Sequence, residues 1–418
     1  MLKNLTPLST TCCIYRVPQT LQKENREAYT PRVVSIGPLH HGEGHLVAME
    51  EHKLRYLQNF LSKSRKTLAD CVEIISREEK RARDCYIESI NMSSEEFVKM
   101  ILLDGCFIVE VILGFSNCHP IKPDDRVYKK PWLFFEVRRD MTLLENQLPF
   151  FLLVTLYSLL PLPPGHQNHC CSFLLLSVEF FKDYLQIPEA KSSRDIMIEI
   201  VTKTSSTLGE VKHFVDLLIL CLQPSSPSPA KPVDFKLVIP TATHLREGGV
   251  RFKLHEEDKP LLGIEYSRGV LRIPSLILKE KSESLFRNLI AFEQCHSREH
   301  ANYITDYIYL MDQLIDTTND VNLLVRKRII SSHLGDSIAV KNLFNRLLIG
   351  AELSRDTFHF SGIYVELSEH LASPWNSWKA TLRHDYFCSL WRGASTIAAV
   401  ILLLLTLLQT IFSAMSLK

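Results

Sequence analysis

An uncharged, strongly apolar stretch at the C-terminal end constrains the fold most. No residue from Gly393 to Leu417 carries a charge. As a helix, residues 394–415 would measure about 33 Å at ~1.5 Å per residue, enough to cross a hydrocarbon core of about 30 Å. A buried core helix normally keeps a polar face, and the centre of this stretch offers only Thr406, Gln409 and Thr410. The sequence therefore predicts one transmembrane helix at 394–415, preceded by a juxtamembrane linker at 376–393.

The two ends of the chain together predict an orientation in the membrane. The N-terminus lacks the apolar core of a signal peptide. Only Ser416, Leu417 and Lys418 follow the apolar stretch, so we expect a tail anchor that inserts after synthesis ends. Lys379, Arg383 and Arg392 precede the stretch, whereas only Lys418 follows it. This charge bias predicts a single-pass protein whose large N-terminal domain is cytosolic. Either the plasma membrane or an endomembrane fits this expectation.

The length of the chain predicts more than one hydrophobic core. A single core stops growing near about 250–300 residues, and this chain has 418. Residues 223–232 are rich in Pro and Ser and read as a solvated linker. We therefore predict an N-terminal helical lobe at 14–222 and a C-terminal lobe at 233–375.

Hydrophobic periodicity predicts a mainly α fold with a small antiparallel β meander, an α+β arrangement. Ser93 and Glu96 form a capping-box pattern before a long apolar helix. Apolar residues alternate within 250–254 and 262–266, and a Gly-bearing turn at 267–269 leads into 270–273. Helical spacing then resumes up to about Gly350, with breaks near Ser297, Thr317 and Gly335.

Composition argues against several functional classes. Lys and Arg total 48 against 47 Asp and Glu, so no global positive field favours nucleic acid. Glycine is scarce, and no phosphate-binding loop, dinucleotide fingerprint or nucleophile elbow occurs. The 11 cysteines form no zinc-binding spacing and are expected to be reduced, mostly buried thiols. We therefore expect no nucleic acid, no cofactor and no metal.

Two histidine clusters are candidates for metal ligation. His40, His41 and His45 lie close to several glutamates and to His52, but the spacings are contiguous or irregular. His45 and His52 would lie two helical turns, about 10 Å, apart, so one metal could not join that pair without a further ligand, and roles in turns and caps are favoured. His296, Glu299 and His300 match the inverted zinc-hydrolase pattern His-x-x-Glu-His, in which the glutamate would act as the base. No third ligand is evident for this second cluster.

Carboxylates inside apolar stretches are candidates for acid–base chemistry. Asp140 and Glu145 would diverge by about 140° around a helix, and Asp104 and Glu110 by about 120°, so neither pair forms a dyad. We interpret Asp140 as a helix cap, and Glu145 with Asn146 and Gln147 as partners of buried backbone groups near Pro149. The sequence thus predicts no catalytic residue.

A series of ordered motifs resembles the plant family named for domain of unknown function 247, from about Ile14 to the apolar C-terminal stretch. The motifs are Tyr15-Arg-Val-Pro18, Pro31-x-x-Val-Ser-Ile-Gly-Pro38 with His40-His41-Gly42, Met49-Glu-Glu-His-Lys53, Phe97 with Leu103-Asp104-Gly-Cys-Phe107, Asp140 with Leu143-Leu-Glu-Asn-Gln147, Gly249-Val-Arg-Phe252 and Asn288-Leu-Ile-Ala-Phe-Glu293. Leu39 departs from the aromatic residue that is usual before the histidine pair. The resemblance implies a plant membrane protein with one C-terminal span and no established activity.

These observations together predict a membrane-anchored recognition or signalling-associated protein without enzymatic activity, which acts through an unidentified protein partner. One alternative is a metal-dependent hydrolase that uses His296, Glu299 and His300. The other is a passive membrane scaffold.

Overall fold

The computed structural model describes residues 11–116, 121, 125–161, 169–187, 191–206, 211–224, 239–255, 260–296, 302–353, 358–372 and 390–416. Within these residues the chain is mainly helical, as predicted. The linker at 223–232 falls largely outside them, so the division into two lobes stays a prediction. Buried hydrophobic side chains between Cys13 and Leu367 form one contiguous cluster.

Ten helices are described before the predicted linker. They are α1 Gln19–Gln22, α2 Glu50–Lys63, α3 Leu68–Asp84, α4 Ser94–Phe115, α5 Arg126–Lys129, α6 Pro131–Asp140, α7 Phe150–Tyr157, α8 His169–Phe181, α9 Ser193–Ser206 and α10 Phe214–Leu222. The capping box predicted for α4 is confirmed, because the Ser93 hydroxyl accepts from the Glu96 N–H and the Glu96 carboxylate accepts from the Ser93 N–H. Helix α4 is apolar on nearly all sides and packs against α2, α3, α7 and α8.

After the predicted linker, seven helices and five short strands are described. They are α11 Ala242–Glu247, β1 Arg251–Leu254, β2 Glu265–Ser267, β3 Val270–Ile273, β4 Leu276–Leu278, α12 Glu280–Cys295, α13 Tyr303–Leu314, α14 Thr318–Arg326, β5 Ile330–Ser332, α15 Ser337–Leu347, α16 Ser361–Ala372 and α17 Leu390–Ser416. The predicted breaks near Thr317 and Gly335 fall between helices, and α12 ends at Cys295, two residues before Ser297, which itself lies outside the described residues. Helix α12 packs against α10, α13 and α15 and so contacts both parts of the chain.

The predicted antiparallel meander is partly wrong, because the sheet is mixed. Strand β3 lies in the centre, antiparallel to β2 and parallel to β1. Arg268 and Gly269 both have positive φ, which matches the tight type I′ turn that joins an antiparallel pair. No tight turn joins β1 to β2, and the chain between them is long enough to place β1 on the other side of β3. A separate parallel pair consists of β4 and β5.

The predicted transmembrane helix at 394–415 is not supported and is withdrawn. Among the described residues, no helix combines the length and the apolar character that a membrane span requires. The predicted juxtamembrane linker at 376–393 lies largely outside the described residues.

Candidate functional site

An irregular segment, residues 31–38, is held in the interior by side chains far away in sequence. The backbone N–H groups of residues 32–34 donate to the carboxylate of Asp140 at 2.8–3.1 Å. Arg139 also donates to this carboxylate at 2.9 Å, and Asp140 has no exposed surface. Burial raises the pKa of Asp140, and these hydrogen bonds oppose the shift. Asp140 is the last residue of α6, so the interpretation as a helix cap is wrong, although its role is structural.

Asn146 and Gln147 continue this support of the backbone. Asn146 accepts from the Ile36 N–H at 2.7 Å and donates to the carbonyl of Val34 at 3.0 Å. Gln147 accepts from the Phe214 N–H at 3.0 Å and donates to the carbonyls of residues 141 and 143. Both amide side chains are fully buried. The prediction that they bind buried backbone groups is confirmed.

Glu145 joins the same network at the wall of a polar cavity of about 430 Å³. Its carboxylate accepts from the Val17 N–H at 2.8 Å, from Arg16 Nη1 at 2.9 Å and from Gln22 Nε2 at 3.1 Å. The His40 Nε2 atom lies 3.5 Å away. Glu145 is thus bound on both oxygens by groups that position the N-terminal segment.

The first histidine cluster has local partners. His40 Nδ1 lies 2.7 Å from Glu43 Oε1, and His45 Nε2 lies 3.1 Å from the carbonyl oxygen of Pro31. Nowhere in the described part of the chain do three or more His, Cys, Asp or Glu side chains form a group that could hold a metal. The predicted roles in turns fit these contacts.

Asp104 and Glu110 of α4 each pair with a different lysine of α2. Lys53 Nζ lies 2.6 Å from Asp104 Oδ1, and Lys63 Nζ lies 2.5 Å from Glu110 Oε2. Burial raises the pKa of Asp104, while the adjacent ammonium acts to lower it. The two carboxylates do not form a dyad, as predicted.

The second histidine cluster is only partly described. His296 follows α12, with Nδ1 at 2.8 Å from the Tyr15 hydroxyl and Nε2 at 2.5 Å from Lys212 Nζ. Both of its ring nitrogens therefore already have polar neighbours. Glu299 and His300 lie outside the described residues, so the metal-site alternative stays a prediction.

The surface of α6 carries a feature that sequence reasoning missed. Trp132 is 58% exposed and Phe135 is 48% exposed, and their spacing of three residues places them on one helix face. Leu133 and Val137 are buried on the opposite side. We call Trp132 and Phe135 the aromatic face. The signal was present as two aromatic residues at i and i+3 after a proline that begins a helix.

A cavity of about 390 Å³ adjoins the aromatic face, and Phe135 belongs to both. We call it the Arg138 cavity. Its other lining residues are Arg138, Asp183, Tyr184, Gln186, Lys279, Glu280, Lys281, Ser282, Leu285 and His333. Lys281 Nζ lies 5.4 Å from the centre of the Phe135 ring, within reach of a cation–π contact.

The chain belongs to a plant family of unknown function, domain of unknown function 247, whose sequence model matches residues 14–405. Among individual proteins, the chain is similar to UPF0481 protein At3g47200 of Arabidopsis thaliana, with 31% identity over 97% of this chain and 87% of the relative. It also resembles putative UPF0481 protein At3g02645 of the same plant, with 23% identity over 96% of this chain and 89% of that relative. No solved structure matches the chain.

Several of the motifs that carry the family resemblance meet in the buried network. Lys53 and Asp104 pair with each other, Asp140 binds residues 32–34, and Glu145 binds Arg16. The Asn288 side chain accepts from the N–H of residue 144 at 2.8 Å and donates to the carbonyl of residue 28 at 2.9 Å. These motif residues therefore hold the fold together. In α6 only the buried Asp140 belongs to a motif, so the aromatic face lies outside the motifs.

Proposed function

We propose that this protein is a recognition protein that binds a partner protein through the aromatic face and acts without catalysis. The observation that carries the proposal is the exposure of Trp132 and Phe135, side by side on α6 and next to an open cavity. Large aromatic side chains gain most from burial, and they dominate the binding energy of protein interfaces. Exposing two of them together is unfavourable unless a partner covers them.

Charges around the aromatic face favour an acidic partner. Arg126, Lys129 and Lys130 are exposed on or beside α5, immediately before α6. Lys279 and Lys281 line the adjoining cavity. The negative groups nearby are partly committed, since Glu136 pairs with Lys281 at 3.1 Å. We infer that the partner presents an apolar residue within an acidic segment, because such a segment complements this surface.

The absence of catalysis is part of the proposal, and the buried carboxylates support it. Asp140 and Glu145 are bound by backbone N–H groups and guanidinium groups, and Asp104 is bound by Lys53 and the N–H of Gly37. A general acid or base must reach the substrate with an available lone pair or proton. The lone pairs of these three carboxylates are instead occupied by hydrogen bonds and ion pairs within the fold.

A photo-crosslinking amino acid at position 132 tests the proposal in the full chain. The matched control is the same amino acid at Ile338 of α15, which is 55% exposed. We expect a partner protein that is crosslinked at position 132 and not at position 338. The purified partner should then bind the purified protein, and Trp132→Ala should weaken that binding about 30-fold, as for an interface hot spot. The same crosslinked products at both positions, no product at position 132, or unchanged affinity in Trp132→Ala would refute the proposal.

A further inference from the structure

We propose that the Arg138 cavity binds an aryl phosphate, the group that a phosphorylated tyrosine of the partner presents. This inference rests on the proposed function, because it names the chemistry that the partner brings to the surface beside the aromatic face. The argument uses the buried guanidinium of Arg138, the exposed carboxylate that now occupies it, the first turn of α12 and the apolar walls of the cavity.

Arg138 is an unusually buried cation. Its side chain is 2% exposed, and its Nη1 atom donates to Asp183 Oδ2 at 3.0 Å. Its guanidinium carbon lies 5.2–5.6 Å from the ring centres of Phe115, Phe180 and Tyr184. The Nε–H is buried and has no hydrogen-bond partner. The guanidinium is therefore fixed in place with a donor left over, and its planar fork suits an oxyanion.

Asp183 supplies the only carboxylate bonded to this guanidinium in the described part of the chain. Its own side chain is 70% exposed, in contrast to the 2% of Arg138. The Asp183 carboxylate is already largely hydrated while it is paired, so it can leave Arg138 for solvent and be replaced by an incoming anion at small cost. Asp183 thus occupies the position that we assign to the ligand.

The start of α12 adds positive potential to the same cavity. Glu280, Lys281 and Ser282 line the cavity and form the first turn of this long helix. The first N–H groups of a helix lack intrahelical acceptors, and this end of the helix dipole is positive. In α12 the N–H of Ser282 already donates to the carbonyl of Lys279 at 2.9 Å, so the helix contributes chiefly its dipole. The positive end of that dipole and the guanidinium of Arg138 together favour an anion such as a phosphate in the cavity. Lys281 adds a second cationic side chain besides Arg138, and its ammonium group also forms an ion pair with Glu136.

The walls of the cavity select for an aromatic ring that carries the anion. Phe135, Tyr184 and Leu285 provide apolar surface beside the charged groups. The volume of about 390 Å³ lies within the range of ~300–1,000 Å³ that is usual for ligand sites. A phosphate carries about −1.5 to −2 charges and three acceptor oxygens, more than the single charge of an Asp or Glu side chain. An aryl phosphate therefore uses both the cations and the apolar wall.

Calorimetric titration of the full chain with phenyl phosphate tests this inference, with inorganic phosphate and phenol as reference ligands. We expect phenyl phosphate to bind more tightly than phosphate, and phenol not to bind. Lys281→Gln should weaken phenyl phosphate binding about 10-fold, since a hydrogen bond to a charged group is lost, whereas Lys80→Gln at an exposed position of α3 should have no effect. Asp183→Asn should tighten binding several-fold, because it removes the competing carboxylate; a purely structural pair predicts no such gain. Arg138→Gln should abolish binding.

Four outcomes would overturn the inference: no heat with phenyl phosphate, equal affinity for phosphate and phenyl phosphate, equal effects of Lys281→Gln and Lys80→Gln, or no gain in Asp183→Asn. Since Arg138→Gln can also disturb folding, the Lys281 and Asp183 variants decide the matter after their thermal unfolding is compared with that of the parent protein. If a partner is crosslinked at position 132 but phenyl phosphate does not bind, only the assignment of an aryl phosphate to the cavity is refuted. If no partner is crosslinked and phenyl phosphate does not bind, the proposed function is refuted as well.

Discussion

The ammonium group of Lys53 lies 2.6 Å from the carboxylate of Asp104, and neither side chain has access to solvent. Lys53 also donates to the carbonyl of Ser35 at 2.7 Å, and Asp104 accepts from the N–H of Gly37 at 2.8 Å. The ion pair therefore links α2 and α4 to the irregular segment at residues 31–38. It is a structural connection between three parts of the N-terminal region.

Removing one member of this pair should be strongly destabilising. We expect Lys53→Met to lower the free energy of unfolding by about 3–5 kcal/mol, because it leaves a buried carboxylate without its counter-charge. Arg55→Met is the matched control, since Arg55 lies on the same helix in an exposed pair with Glu51 and should change stability by less than about 1 kcal/mol. Urea denaturation measures both. Equal losses in the two variants would contradict the structural importance of the buried pair.

Asn146 should contribute to stability through the backbone groups that it binds. Asn146→Ala leaves the Ile36 N–H and the Val34 carbonyl without their partner, so we expect a loss of about 1–3 kcal/mol. Asn345→Ala, at an exposed position of α15, should lie within about 0.5 kcal/mol of the parent. Thermal and urea unfolding provide the comparison. An unchanged unfolding transition in Asn146→Ala would argue against the structural role and reopen a catalytic one.

Gly37 should tolerate substitution less well than Gly42, although both have positive φ, +73° and +82°. Alanine at either position should lower the free energy of unfolding by about 1–2 kcal/mol, because its Cβ atom disfavours the left-handed backbone conformation. At Gly37 a Cβ atom would also lie 2.6 Å from the carbonyl oxygen of Gln147, whereas at Gly42 it meets nothing within 4 Å. We expect Gly37→Ala to cost about 1–3 kcal/mol more than Gly42→Ala in urea denaturation. Equal losses of stability in the two variants would mean that the backbone at Gly37 and Gln147 can move apart to accommodate the Cβ atom.

Stability should fall as the pH rises through neutrality, because of two carboxyl groups near the start of α13. Burial raises the pKa of Glu293 to about 7 and that of Asp306 to about 8, both above their ordinary values. The folded state then binds protons that the unfolded chain has released. The stabilisation is complete below about pH 4 and is lost as the pH passes the two folded-state values.

The measurement is urea denaturation from about pH 6.5 to pH 8, read as the difference in slope between the parent protein and the carboxyl variants, because an ordinary histidine, with a pKa of about 6.5, also titrates at the lower end of this range. This difference removes the contribution of the nearby His359, since burial lowers its pKa and it acts in the opposite direction. Glu293→Gln and Asp306→Asn should each flatten the slope, and Glu73→Gln at an exposed position of α3 should leave it unchanged. A rising or flat profile in the parent protein would show that these carboxyl groups titrate normally.

Local signals in the sequence were sufficient for some elements and not for others. The capping box at Ser93 and the turn before β3 depend on residues within a few positions of each other, and both were predictable. The parallel pairing of β1 with β3 depends on how a long connection crosses the sheet, which no local pattern encodes. The uncharged C-terminal stretch was interpreted as a membrane span from composition and length, and the described part of α17 did not support that interpretation.

The candidate site was likewise predictable where local signals were sufficient and not where distant parts of the chain meet. Polar residues inside apolar stretches correctly marked Asp140, Asn146 and Gln147 as structural. Their partners could not be predicted, because Asp140 binds backbone that is more than 100 residues earlier in the chain. Trp132 and Phe135 are aromatic residues in a helix, which sequence alone does not distinguish from core. Only the packing of Leu133 and Val137 shows which face remains uncovered.

The long-range support of residues 31–38 has a consequence for synthesis on the ribosome. The N–H of Arg32 donates to Asp140, which is 108 residues later in the sequence. The carbonyl of Ala28 accepts from Asn288, which is 260 residues later. At about 5–20 residues per second, these intervals are roughly 5–22 s and 13–52 s. The nascent N-terminal segment therefore leaves the ribosome well before its hydrogen-bond partners are synthesised. During that interval it depends on water or on a chaperone for partners, and slower translation would prolong its exposure.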